Sequence, residues 1–255
     1  MDKKLIVLGI ESSCDDTSAA ILKGSNVLSN VISSQQIHKL YGGVVPELAS
    51  RAHQQNIIPV VDTAIKSAKI NRSDIDVIAY TKGPGLLGSL LVGSSFAKSF
   101  SYSLSKPLVS VNHMKAHILA HFIEDENNPS PEFPFICLTV SGGHTQIVLV
   151  NSFTEMKIIG TTIDDAAGEA FDKSAKVLGL EYPGGPFIDK FSKSGNINAF
   201  TFGKPKIKEL DFSFSGLKTS IMNKINSSLM TNPKFIDENL NDLCASIQHS
   251  IIRIL

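Results

Sequence analysis

The chain has 255 residues, of which 42% are apolar and 19% charged, and its formal net charge is zero. This usage is typical of globular domains and excludes a mainly disordered chain. A neutral chain has no bulk attraction for nucleic acid, so RNA binding would have to come from a local patch or a partner. No apolar run approaches the length of a membrane span and no signal peptide is evident, so we expect a cytoplasmic protein without membrane attachment.

The first predicted elements form a hairpin. The apolar run Leu5–Ile10 predicts a buried strand, and Ser18–Leu22 predicts the strand that returns from it. The turn between them is rich in hydroxyls and carboxylates, which can hold phosphate through backbone N–H groups or a cation through oxygen ligands. Glu11, Ser12 and Ser13 are therefore candidates for a phosphate or ion site. A simple solvated turn is the alternative.

The next segment predicts strands and helices in alternation. A strand is expected over residues 29–36, and Pro46 fits the first position of a helix. Because Pro59 interrupts the helical pattern, we expect a kink or two consecutive helices between Glu47 and Ala68. A further strand, Ile75–Tyr80, leads through a Gly-Pro-Gly turn into a helix whose small residues allow close packing.

A pair of histidines follows the next strand. Val109–Val111 ends that strand, and the chain turns at Asn112 into a segment with helical spacing. In a helix His113 and His117 lie one turn apart on the same face, where two imidazoles can bind one metal ion. A catalytic ion normally needs a third protein ligand, so two histidines on a partly buried helix start are the alternative.

A second strand–turn–strand hairpin is predicted further along the chain. Phe135–Val140 and residues 146–150 predict two strands, which are joined by the glycine-rich turn Ser141–Thr145. This recurrence indicates an internal duplication with one hairpin opening each lobe and a ligand in the cleft between the lobes. Gly142 and Gly143 allow positive φ angles and close approach of the backbone to a phosphate.

Acidic residues and a second glycine turn complete the set of candidates. Asp165, Glu169 and Asp172 have the spacing of one helix side, and carboxylates so crowded need a cation, hydroxyls or N–H donors nearby. A solvated helix face is the alternative. The turn at residues 183–186 brings backbone close to whatever this helix faces, and Asp189 could accept a hydrogen bond from a sugar hydroxyl.

Eight motifs in order carry a family resemblance: GIESSCDDTSAAI, YGGVVPELASR, GPGLLGSLLVG, NHMKAH, TVSGGHTQ, IDDAAGEAFDK, YPGGP and LDFSFSGLKT. They resemble the bacterial TsaD family, the tRNA N6-adenosine threonylcarbamoyltransferases, once labelled O-sialoglycoprotein endopeptidases or glycoproteases. The resemblance implies an α/β fold of the actin, Hsp70 and sugar-kinase type (ASKHA, ribonuclease H-like), with two duplicated lobes. We place the N-terminal lobe at residues 1–108 and the C-terminal lobe, incomplete at its end, at residues 109–255.

The resemblance also implies an activity. Family members transfer the threonylcarbamoyl group from threonylcarbamoyl-AMP to the exocyclic amine of the adenosine 3′ of the anticodon, in tRNAs that read codons beginning with A. By similarity, His113 and His117 bind one Fe²⁺ or Zn²⁺ ion. The adenine nucleotide, threonylcarbamoyl-AMP or ATP, would contact a set of eight residues. These are Thr139, Val140, Ser141, Gly142, Gly143, Asp172, Gly185 and Asp189. No catalytic residue beyond the metal site is implied.

Partners follow from the same resemblance. Besides the tRNA substrate, bacterial members work with a shorter homologous subunit (TsaB-like) and a small P-loop ATPase (TsaE-like), and a separate synthase supplies threonylcarbamoyl-AMP. Two departures limit the transfer. Thr139 stands where archaeal relatives have a metal-binding tyrosine, and the family's aspartate ligand and an adenine-contacting motif would lie beyond Leu255. We therefore expect a two-histidine half site, weak or absent metal binding and little activity for these 255 residues.

Other functions remain open on the residues alone. A metallopeptidase helix of the HExxH type needs a glutamate after its first histidine, and Met114 stands there. An ATPase or sugar kinase of the same fold, or a noncatalytic paralogue that serves as a dimer partner, is a further alternative. The paralogue is disfavoured because an inactive relative would be expected to lose the histidine pair.

Overall fold

A computed structural model describes residues 4–124, 129–205, 207 and 209–255. The chain forms two compact units, Met1–Glu132 and Phe133–Leu255. The predicted boundary between residues 108 and 109 is therefore displaced by more than twenty residues. The displacement arises because the strand that begins at Leu108 pairs with the sheet of the first unit, and the helix after it stays with that unit.

The first unit is built on a five-stranded sheet. Its strands are β1 (Ile6–Glu11), β2 (Asp16–Lys23), β3 (Asn26–Ser34), β4 (Val77–Gly83) and β5 (Leu108–Asn112), in the order β3-β2-β1-β4-β5. The first three form an antiparallel meander, whereas β4 pairs in parallel with both β1 and β5. The predicted first hairpin and the two later strands are thus confirmed.

In the part of this unit that the structure describes, three helices accompany the sheet: α1 (Pro46–Ser67), α2 (Leu87–Leu104) and the short α3 (His113–Leu119). Short 3₁₀ turns occupy Gln36–Tyr41, Arg72–Asp74 and Ala120–Phe122. The core joins apolar residues of β1, β2 and β4 to the buried side of α1, with Leu8, Ile21 and Ile78 fully buried. Burial of this apolar surface is the main stabilising contribution.

Pro59 does not divide the helix in which it lies. The predicted alternative of two consecutive helices is wrong, since α1 runs without a break over 22 residues. Proline removes one backbone hydrogen bond, but Ile57, Val60 and Val61 beside it are buried in the core. Tertiary packing of this apolar face outweighs the local cost.

The second unit repeats the meander. Its strands β6 (Phe135–Val140), β7 (Thr145–Val150) and β8 (Met156–Thr161) are antiparallel neighbours in that order. Among the described residues of this unit, four helices follow: α4 (Ala167–Val177), α5 (Gly184–Ser192), α6 (Ser215–Leu229) and α7 (Phe235–Ile252). The two predicted hairpins are therefore present, each as the first part of a three-stranded meander.

The core of the second unit is formed mainly by its helices. Ile188, Phe214, Ile221, Leu243 and Ile247 are fully buried in one cluster. Phe212 and Phe214 belong to the same cluster, and they are 4% and 0% exposed. In the described part of the chain, no helix is both long and apolar enough to cross a bilayer.

Candidate functional site

The histidine pair lies at the start of α3. The Asn112 side chain caps this helix by accepting a hydrogen bond of 3.1 Å from the backbone N–H of Lys115, so the helix begins at His113. Met114 and Ile118 are buried and fix its rotation. As a result His113 and His117 project from the same side, with their Nε2 atoms 3.1 Å apart and their ring planes at 86°.

Residues from β1 and β4 hold the first of these histidines. The Nδ1 atom of His113 lies 3.1 Å from Oε2 of Glu11 and 3.3 Å from Oγ of Ser13. Glu11 also accepts hydrogen bonds from the Ser13 backbone N–H and, at 2.5 Å, from the Thr81 hydroxyl. Glu11 and Ser13 are predicted site residues, whereas Thr81 lies in no motif that marks it as functional.

The Glu11 carboxylate sets the tautomer of His113. Burial by itself raises the pKa of Glu11, but hydrogen bonds from His113, Ser13 and Thr81 outweigh it and lower that pKa from 4.5 to about 2. The carboxylate is therefore ionised at neutral pH and can only accept hydrogen bonds. Nδ1 of His113 consequently carries a proton, and the Nε2 lone pair is directed toward His117. This carboxylate–imidazole arrangement is typical of metal-binding histidines.

The depressed pKa makes a pH-dependent contribution to stability. Because the folded-state pKa of Glu11 lies below its ordinary value of 4.5, the contribution is present above about pH 4.5 and is lost as the pH falls toward about 2. We expect wild type to be more stable than Glu11→Gln at neutral pH, and the difference to shrink through this acidic range. Urea unfolding of both proteins between pH 7 and about pH 2 measures it. A difference independent of pH would contradict the assigned network.

The two imidazoles fit a metal ion by their donor chemistry and spacing. Zinc binds imidazole nitrogen at about 2.0–2.1 Å, so two such ligands lie about 3.0–3.4 Å apart. The observed separation of 3.1 Å falls in that range. Glu11 lies on the Nδ1 side of the His113 ring and is no third ligand to an ion at Nε2. Within the described ranges no cluster of three or more His, Cys, Asp or Glu side chains could hold an ion.

The turn that carries Glu11 and Ser13 packs closely against α2. The Ser12 hydroxyl donates to the carbonyl of Ser89 at 2.9 Å, and the N–H of Leu86 donates to the Ser13 carbonyl at 2.7 Å. A Cβ atom on Gly85 would lie 2.7 Å from Cβ of Ser13, and one on Gly93 would lie 3.1 Å from Cβ of Ser12. The predicted close packing of these small residues is thus confirmed. The predicted phosphate role of the hairpin stays a prediction.

A cavity of about 500 Å³ borders the pair. Small side chains line it on the sheet, among them Ala20 and Ala79, and Ala116 and Ala120 line it near the two imidazoles. Glu11 and both histidines also line it. A ligand of moderate size in this cavity would thus lie beside both imidazole side chains.

In the second unit the glycine turn abuts the start of α4. The Gly168 N–H donates to the Ser141 carbonyl at 3.1 Å, and the Ala167 N–H donates to the Thr145 hydroxyl at 2.9 Å. Gly142 and Gly143 are exposed, with open space where a Cβ would stand. The structure gives neither of them the positive φ that the sequence suggested. The turn therefore needs no left-handed residue there, and open space leaves its backbone accessible.

The acidic residues near α4 divide into two groups. Asp165 precedes the helix, so the predicted alignment of three carboxylates along one helix side is wrong. Lys173 compensates the negative charge of two of them, because its Nζ lies 2.8 Å from a carboxylate oxygen of Asp165 and 2.7 Å from one of Glu169. Asp172 instead accepts from the Gly184 N–H at 2.7 Å, and burial raises its pKa although the Gly184 and Gly185 N–H groups oppose that effect.

The remaining predicted nucleotide residues have mixed environments. Thr139 is buried and Val140 is exposed. Asp189 is exposed, lies 3.3 Å from Lys193 and accepts from Gln248 at 3.3 Å. The structure therefore brings Asp172 together with Gly184 and Gly185, and Ser141 together with Gly168. The role of each toward a nucleotide stays a prediction.

Comparisons with known proteins agree on one family. A family model described as tRNA N6-adenosine threonylcarbamoyltransferase (TsaD) matches residues 26–255. The protein of that name from Riemerella anatipestifer is 64% identical over 253 residues, covering 99% of this chain and 74% of the relative. The one from Porphyromonas gingivalis is 60% identical over 257 residues, covering 100% of this chain and 75% of the relative. The chain belongs to the TsaD family.

A solved structure supports the fold of this TsaD family member. The Acidaminococcus fermentans (R)-2-hydroxyglutaryl-CoA dehydratase component A superposes with a TM-score of 0.53 at 15% identity, covering 98% of this chain and 76% of that one. The predicted α/β fold of the actin, Hsp70 and sugar-kinase type is confirmed, and so is the family named from the eight motifs.

Free thiols contribute no evident nucleophile to the TsaD site. Cys137 and Cys244 are buried, and burial raises the pKa of Cys244 to about 11. Cys14 is exposed as a residue, but its thiol is partly desolvated beside Asp15, and both effects raise its pKa to about 12. A thiol with such a pKa is not ionised at neutral pH and is a poor nucleophile.

Proposed function

We propose that this TsaD family member transfers the threonylcarbamoyl group from threonylcarbamoyl-AMP to the exocyclic amine of the adenosine 3′ of the anticodon, in tRNAs reading codons that begin with A. The observation that carries the proposal is the imidazole pair, whose Nε2 atoms lie 3.1 Å apart with the Glu11 carboxylate behind the first ring. The names of the curated relatives, tRNA N6-adenosine threonylcarbamoyltransferases, support it.

His113 and His117 are the residues that would hold an Fe²⁺ or Zn²⁺ ion. Such an ion would polarise an acyl oxygen of the mixed anhydride and so favour attack by the amine. The residues of the chain then position the reacting groups. Glu11 keeps a proton on Nδ1 of His113 and holds the ring, while Thr81 and Ser13 hold Glu11 through their hydrogen bonds. An acyl adenylate is already activated, so positioning and charge stabilisation supply most of the remaining catalysis.

The glycine turn of the second unit is the proposed nucleotide contact. Gly142 and Gly143 present backbone without a side chain, and open space lies beside both. Such backbone can approach a phosphate closely. Asp172, already fixed by the Gly184 N–H, is proposed to lie toward the ribose together with Gly185 and Asp189.

Peptidase chemistry has no support in the site. Met114, which occupies the place of the general base of an HExxH helix, is only 9% exposed and packs into the first unit. The curated relatives are named as transferases. An ATPase or sugar kinase of the same fold is the second candidate function, and the similarity of fold is its sole support.

Partners are part of the proposal. Besides tRNA we propose a shorter TsaB-like subunit, a TsaE-like ATPase and an upstream threonylcarbamoyl-AMP synthase, all in the cytoplasm. Exposed apolar side chains on α1 and α2 support a helical contact with such a subunit, since Ile58 is 64%, Leu87 75% and Leu91 55% exposed. Their substitution by serine is the natural probe of that contact.

The activity is tested by incubating the chain with partner subunits, tRNA and threonylcarbamoyl-AMP, with the Riemerella relative as positive control. We expect threonylcarbamoyladenosine in the digested tRNA, detected by mass spectrometry. In a parallel reaction with ATP but without partner subunits, release of ADP and no modified nucleoside would instead favour the kinase-like candidate.

A further inference from the structure

His53 is a fully buried histidine in the middle of α1, and it is remote in sequence from the histidine pair, His113 and His117. Its Nε2 lies 3.0 Å from the carbonyl oxygen of Cys14, and its Nδ1 lies 2.7 Å from the hydroxyl of Thr17. Because a carbonyl can only accept, Nε2 carries a proton and donates. In the neutral ring, Nδ1 then accepts a hydrogen bond from Thr17.

Both contacts of His53 are made with the hairpin that carries Glu11. Cys14 lies in the turn between β1 and β2, and Thr17 lies near the start of β2. The Cys14 carbonyl also accepts from the Ser89 hydroxyl of α2 at 3.1 Å. Side chains from two helices thus donate hydrogen bonds to the same carbonyl oxygen. These bonds fix the position of the turn relative to both helices.

The turn that His53 and Ser89 hold is also in contact with the histidine pair. Ser13, which precedes Cys14, donates its backbone N–H to the Glu11 carboxylate. The Ser13 hydroxyl and the Glu11 carboxylate both contact Nδ1 of His113, at 3.3 and 3.1 Å. A shift of the turn would therefore move the groups that hold the His113 ring and its proton.

We propose that His53 is a positioning residue for the histidine pair. Through the Cys14 carbonyl it fixes the turn that bears Glu11 and Ser13, and so it sets the orientation and tautomer of His113. This inference rests on the proposed function and deepens it. His53 contacts neither metal nor substrate. A histidine with a structural role alone would change the free energy of unfolding but not the properties of His113.

Three variants separate these roles. His53→Leu removes both hydrogen bonds, whereas His53→Gln places an amide donor close to the position of Nε2 and keeps the contact with Cys14. His38→Leu is the matched control, because His38 is 1% exposed and makes two hydrogen bonds, to Gln35 and Val45, away from the turn.

Two properties of each folded variant are measured beside its urea stability. The first is the tautomer of His113 in metal-free protein, from long-range ¹H–¹⁵N NMR spectra. The second is the affinity for Zn²⁺, from calorimetry. We expect His53→Leu to lower the Nδ1–H population of His113 and to weaken zinc binding by about tenfold or more. His53→Gln should restore both, and His38→Leu should lose stability without changing either.

The outcomes decide clearly. An unchanged His113 tautomer and zinc affinity in folded His53→Leu would overturn the proposal. If that variant does not fold, His53→Asn replaces it, because its shorter amide reaches only toward Thr17; equal behaviour of the Asn and Gln variants would then overturn the proposal. Absence of zinc binding by wild type would count against the proposed metal site, while the His113 tautomer would still decide the role of His53.

Discussion

Replacing His117 with alanine is expected to weaken Zn²⁺ binding by about 100-fold or more and to remove transferase activity. Loss of a group that merely supports a metal ligand typically costs about 10–100-fold in affinity, so loss of a ligand should cost at least as much. The side chain is exposed, and the free energy of unfolding should therefore change by less than about 0.5 kcal/mol. Calorimetric titration with zinc and urea unfolding provide the two measurements.

His121 supplies the control for this substitution. It is an exposed histidine one further turn along the same segment, and it lies in the 3₁₀ turn that follows α3. His121→Ala should leave zinc affinity and modification activity unchanged. Equal losses of zinc affinity in His117→Ala and His121→Ala would show that any surface imidazole contributes to the effect. Such a result would contradict the assignment of His113 and His117 as the metal ligands.

Replacing Gly168 with valine is expected to destabilise the second unit by about 1–3 kcal/mol. A Cβ at this position would lie 2.7 Å from the Ser141 carbonyl oxygen and 2.8 Å from Cα of Gly142. Backbone atoms cannot yield as a flexible side chain can, so the glycine turn must move away from the start of α4. Urea unfolding measures the loss of stability, and the affinity of the folded variant for ATP, the proposed ligand of the turn, tests whether the turn is displaced.

Gly216 is a suitable control because its surroundings are open. It lies in the first turn of α6, with open space where a Cβ would stand. Gly216→Ala should be neutral or should stabilise the chain by up to about 1 kcal/mol, since alanine loses less backbone entropy than glycine. A Gly168→Val protein as stable as wild type, with unaltered ATP binding, would contradict the close approach of α4 to the turn.

Local features of the chain were predictable from the sequence. Both hairpins followed from apolar runs separated by turn residues, and the helix with His113 and His117 on one face followed from a spacing of four. The family followed from eight ordered motifs and is confirmed. Each of these signals is contained within a few neighbouring residues, so a single sequence is sufficient to show it.

Contacts distant in sequence were not predictable. Glu11 and His113 are 102 positions apart, and no local pattern says that strand β1 ends beside the start of α3. The same holds for Asp172 and Gly184, and for the assignment of β5 to the first unit, which depends on pairing with β4. The two-helix alternative at Pro59 is wrong because tertiary packing of α1, which the local pattern does not show, outweighs the local cost of the proline.

X-ray absorption at the zinc edge of zinc-loaded protein tests the metal assignment most directly. The assignment predicts a first shell containing two imidazole nitrogens at about 2.0–2.1 Å, with oxygen in the remaining positions. His117→Ala should remove one imidazole contribution at equal zinc loading. A shell with sulfur ligands, or an imidazole count that does not change when His117 is replaced, would contradict the account.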